Sequence, residues 1–142
     1  MKKQTYENHS RLVIGFHGVT FVALVLLLVG SIMNLMNSAE DNLYSASLLL
    51  LISIILLVLA YYLRDFALKA QDRAIRAEEK LRYFILTGKA LNNNITTRQI
   101  IGLRFASDLE FVELVERAEQ ENLSEKDIKK AVKNWKADTY RV

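Results

Sequence analysis

Two long runs without a charged side chain constrain this sequence most. Residues 12–33 read LVIGFHGVTFVALVLLLVGSIM, in which His17 is the only ionisable group, and residues 43–63 read LYSASLLLLISIILLVLAYYL, with no charge. A helix rises ~1.5 Å per residue, so about 20 residues cross a hydrocarbon core ~30 Å thick. Both runs reach that length, and both are apolar on every side of a helix. As buried core helices they would need to be wrapped by the rest of the chain, which offers only short helices. A two-helix transmembrane hairpin is therefore expected, with spans at about 12–33 and 43–63. The first run is longer than the core of a signal peptide and no small-x-small cleavage pattern follows it, so it is expected to stay as an anchor.

The flanks orient the hairpin. Lys2, Lys3 and Arg11 precede the first run, Glu40 and Asp41 occupy the connection, and Arg64, Lys69, Arg73 and Arg76 follow the second. Basic flanks stay in the cytosol, so both termini are expected inside and the acidic turn outside. Tyr61 and Tyr62 fall at the inner boundary, where amphipathic rings settle. The expected location is a membrane, crossed more than once.

Composition removes several classes of function. The chain has 142 residues, 51% apolar and 25% charged, with a net charge of +3, no cysteine and no proline. Abundant Leu, Ile and Val exclude disorder. The absence of cysteine removes disulfides, thiolate metal sites, cysteine nucleophiles and iron–sulfur clusters. The absence of proline favours long unbroken helices. No phosphate-binding glycine loop, HExxH or GxSxG motif occurs, and the two histidines form no triad with the scattered serines. No enzyme, cofactor or metal is expected. His9 and His17 of one chain cannot both ligate haem, because axial ligands must oppose each other across the ring; His17 from each of two subunits could, and an interfacial hydrogen bond is the reading preferred for it.

Beyond residue 63 nothing stops the second helix. RDFALKAQDRAIRAEEKLRYFIL has no Gly or Pro, and acid-to-base pairs four apart recur at Asp65–Lys69, Asp72–Arg76 and Glu78–Arg82. One helix is predicted from about 43 to 86, roughly 60 Å long, ending at Thr87–Gly88. Within it Ala60, Leu63, Ala67, Ala70, Ala74, Ala77, Leu81 and Phe84 alternate steps of three and four, the heptad seam of a coiled coil, with Leu68 and Ile75 broadening one side. The seam must pack on later helices of the same chain or on another subunit. A helical cytosolic domain, 64–142, is expected after an N-terminal arm and hairpin, 1–63.

Capping patterns open three further helices, near 97–106, 108–121 and 125–139: Thr96-x-x-Gln99, Ser107-x-x-Glu110 and the weaker Ser124-x-x-Asp127. Ile128, Ala131, Val132, Trp135 and Thr139 would line one face of the last. Its remaining surface is lysine-rich, whereas the middle helix carries Glu110, Glu113, Glu116 and Glu119. Those glutamates argue against a DNA-binding helix-turn-helix, so no nucleic-acid partner is expected.

ENHSR before the first run, FALKAQDRAIRAEEKLRYFILTG after the second, and TRQIIGLRFASD followed by KDIKKAVKNWKADTYR give the chain a further signature. It resembles a family of small bacterial two-span inner-membrane proteins of unknown function that share QDRxIRxEE and LRFASD strings. The expected fold is all-α; the resemblance implies a bacterial inner-membrane protein with this topology and carries no activity. The candidate site is a polar cluster at the cytosolic membrane face, drawn from Asn8, His9, Arg11, His17, Gln71, Asp72, Arg73, Arg76, Arg104 and Asp108, with Glu78 and Glu79 beside it. The expected function is non-enzymatic: self-association, or binding of a partner protein, through the cytosolic helices, with membrane lipids around the spans. The rival readings are a small oligomeric channel or transporter, and a binder of anionic lipid or a cofactor at that inner-face cluster.

Overall fold

A computed structural model describes residues 4–9 and 12–138. It is all-helical, with no strand among the described residues. A π-helical stretch, Ile14–Thr20, leads into α1 (Phe21–Met36); a short 3-10 turn, Glu40–Asn42, leads into α2 (Leu43–Thr87); then come α3 (Thr97–Leu103), α4 (Asp108–Gln120) and α5 (Glu125–Ala131). The chain divides into two compact units, Arg11–Ala67 and Leu68–Val142 together with Met1–Ser10. The division falls within α2, four residues beyond the expected limit at 63, and the N-terminal arm belongs with the C-terminal helices.

In the first unit, α1 and the start of α2 leave their side chains uncovered. Only 6% and 11% of their most apolar windows are buried. Core helices of a water-soluble domain would be covered, because leaving apolar area in water costs about 25 cal/mol per Å². By length and composition both helices can cross a membrane. The contact between them is made with small side chains. Ala46 and Ser53 are buried, and Ser31 Oγ lies 3.1 Å from Ser53 Oγ. Each hydroxyl also lies 2.7–2.8 Å from a carbonyl oxygen of its own helix, Leu28 and Leu50 respectively, so neither is stranded in an apolar setting. The start of the first run departs from the regular helix expected there. Ile14–Thr20 is wound as a π-helix, in which the Thr20 hydroxyl donates to Gly15 O five residues back at 2.9 Å.

In the second unit, α3, α4 and α5 close over one side of α2. Their core joins Ile75 of α2 to Leu91, Ile95, Ile100, Leu103, Phe105, Phe111, Leu114, Val115 and Ile128. Both expected capping boxes are present, at Thr96/Gln99 and Ser107/Glu110, and the Ser124 hydroxyl accepts from Asp127 N–H. Gln99 does more than cap. Its Nε2 donates to Ala118 O and Leu123 O, tying α3 to the end of α4. There Asn122 takes φ 49° and Leu123 N–H reaches back to Ala118 O, which terminates α4. Gly102 is where α3 and α5 touch: a Cβ there would sit 3.1 Å from Glu125 O and 3.2 Å from Ile128 Cβ.

The helices are shorter than the capping patterns predict. α3 ends at Leu103 rather than near 106, and α5 ends at Ala131 rather than near 139. Val132 turns to ψ 119° and the chain continues as an extended strap. The strap replaces helical hydrogen bonds with others. Ser107 N–H donates to Asn134 O, Lys136 N–H donates to Phe105 O, and the Glu110 carboxylate accepts from both Lys133 N–H and Asn134 N–H. Trp135 thus reaches the core from an extended segment, bridging to Ala106, rather than from the face of a longer helix. Thr139, expected on that face, lies outside the described residues.

Candidate functional site

Two groups of polar side chains in the second unit are built where the segment Arg104–Asp108 meets other elements. The first is centred on Arg82 of α2. Its guanidinium donates to Glu79 Oε2 at 3.0 Å, to Asp108 Oδ1 at 2.5–2.6 Å and to Ala106 O at 2.7 Å, and lies 4.2 Å from the Phe111 ring centroid. Glu79 and Arg82 are nearly covered, with 9% and 11% of their side chains exposed, whereas Asp108 is 64% exposed. A buried charge needs a partner, and here the α2 carboxylate and the α3–α4 connection share one guanidinium. Arg82 is the residue that sequence spacing misassigns. It reads as the i+4 partner of Glu78, but it turns to Glu79 and to Asp108, 26 residues on. The available signal is its register: Ile75, Glu79, Arg82 and Tyr83 share one stripe of α2, the one the cap covers.

The second group gathers around Phe105. Its ring lies 4.8 Å from that of Trp135 and 5.8 Å from that of His9, and His9 also stacks on Tyr6 at 5.7 Å. His9 Nδ1 lies 2.5 Å from Tyr6 O; a carbonyl oxygen only accepts, so Nδ1 carries the proton. Arg104 lies over Phe105 at 4.6 Å and pairs with Asp138 at 3.2 Å. Asp138 N–H donates to Gln4 Oε1, which fixes the start of the arm beside the end of the strap. Between arm and strap lies an open groove of about 390 Å³, lined by residues that include Asp108, Lys133, Trp135 and Lys136.

Of the candidate cluster, then, His9 and Arg104 meet at Phe105, while Asp108 joins Arg82. Asn8 accepts from Thr5 N–H at 2.6 Å. Gln71 and Asp72 are half-buried on α2 and Arg73 and Arg76 are exposed there. His17 sits in the π-helical stretch of the other unit, with Nδ1 3.2 Å from both the backbone N and O of Val13. Arg11 lies outside the described residues. No group of metal-ligating side chains occurs among the described residues. At the end of α4, the hydrogen bond to Glu121 raises the Arg117 guanidinium above its ordinary range, and the Glu121 charge adds to it.

The alanine seam answers a different question. In the second unit Ala70, Ala74, Ala77, Leu81 and Phe84 are all exposed, as is Ile85 beside them. The three large residues have 59%, 54% and 71% of their surface open. At 100° per residue this face lies opposite Ile75 and Glu79, which the cap buries. The later helices of the chain therefore leave the seam uncovered from Ala70 on, while Ala60 and Ala67 are half-buried.

A family model described as a family of unknown function (DUF6526) matches residues 1–142. No curated protein and no solved structure matches the chain.

Proposed function

We propose that this chain, which belongs to the DUF6526 family of unknown function, is a non-enzymatic two-span protein of the bacterial inner membrane that self-associates through its cytosolic helices. Both termini lie in the cytosol and the acidic turn at Glu40–Asn42 faces out, following the basic flanks. The two apolar helices supply the anchor, and their uncovered surfaces suit lipid. The observation that carries the reading is the apolar face of α2 from Ala70 to Ile85. It is uncovered, it lies in the charged half of the chain, and it opposes the face that the cap occupies. Exposed apolar stripes of this kind mark interaction surfaces.

Leu81→Glu tests it. The variant is expected to fold, since Leu81 is outside the core, and to lose particle mass in detergent by light scattering. An unchanged mass would remove the seam from the account.

A further inference from the structure

We infer that the occupant of the seam is a second copy of this chain, parallel and in register, held there by Arg73 of each copy against Glu78 of the other. The inference rests on the membrane reading proposed above. If α2 of each copy leaves the same membrane in the same direction, a twofold axis along the membrane normal makes the two helices parallel and brings equal residue numbers together.

Heptad positions then fix what flanks the contact. Ala67, Ala74 and Leu81 occupy a, and Ala70, Ala77 and Phe84 occupy d. Arg73 falls at g and Glu78 at the following e. In a parallel pair, g of one helix faces e of the next heptad on the other, five residues later. Arg73 and Glu78 are five apart and opposite in charge. The symmetry makes the contact twice. Both side chains are exposed, and neither has a hydrogen-bond or ion-pair partner among the described residues. The other arginine of the segment, Arg76, falls at c, outside the interface. An antiparallel pair would place g against g and e against e, so Arg73 and Glu78 would not face each other. The alanines between them let the backbones approach closely enough for the pairs to form.

Charge exchange distinguishes this arrangement from other modes of association. In full-length protein in detergent, Arg73→Glu and Glu78→Arg should each weaken self-association by on the order of tenfold, because attraction becomes repulsion at two sites. Mixing the two variants should restore wild-type affinity, since each mixed pair regains both contacts. The chain has no cysteine, so Ala74→Cys gives a single thiol. It should cross-link to its own copy under mild oxidation, and Arg76→Cys, exposed but off the seam, should not. Wild-type dimers that ignore the charge changes, fail to cross-link at position 74 or bury the seam against a different protein overturn the pairing and leave association standing. A monomeric wild type overturns both.

Discussion

Arg82 shows how a single side chain can couple two stretches of sequence. The buried guanidinium joins the QDRAIRAEEKLR segment, through Glu79, to the LRFASD segment, through Ala106 and Asp108. Removing a partner from a buried pair costs more than removing one from water. Arg82→Met should therefore destabilise the cap by about 3 kcal/mol, because it leaves the Glu79 carboxylate covered and unpaired. Asp108→Ala, at the solvent edge, should cost about 1 kcal/mol or less. Denaturant unfolding followed by the single tryptophan, Trp135, reads both, since that ring packs on the core beside Phe105. Equal losses would place the weight of the network on Asp108 instead. Capping residues such as Thr96 and Ser107 are legible in sequence because their partners lie three residues away. The contacts of Arg82 with Ala106 and Asp108, and of His9 with Phe105, are not, because those partners arrive from distant segments and helical spacing carries no information about them.

The elements divide along the same line. α2 is legible as one helix because nothing in 43–87 breaks it, and Gly88 at φ 70° stops it where a glycine is needed. α5 is not, because its apolar period runs on to Trp135 while the chain turns extended after Ala131. The hydrogen bonds that Glu110 and Phe105 offer the strap decide that change, and they belong to other elements. The seam is legible as a heptad pattern, but which face the cap would take is not. Ile75, which sequence places at the margin of the seam, lies under the cap instead. Ile75→Glu should then unfold the cap, because it buries a charge in the core, and Leu81→Glu should leave the Trp135 emission unchanged. If both variants disturbed that emission alike, the two faces of α2 would not be distinct.

At the scale of the molecule, two apolar helices are followed by a helical unit whose cap covers one side of α2 and leaves the other exposed. The proposed membrane topology rests on the basic flanks, and single cysteines test it in a chain that has none of its own. Glu40→Cys should react in intact cells with a thiol reagent that cannot cross the membrane, and Lys126→Cys should react only after lysis; the reverse pattern would invert the orientation. The central claim, self-association of a membrane-anchored helical unit, is tested most directly by the native mass of the full chain released from lipid discs. A dimer is expected for the wild type and a monomer for Leu81→Glu. A wild type that stays monomeric across the accessible concentrations, with nothing co-purifying, would contradict it.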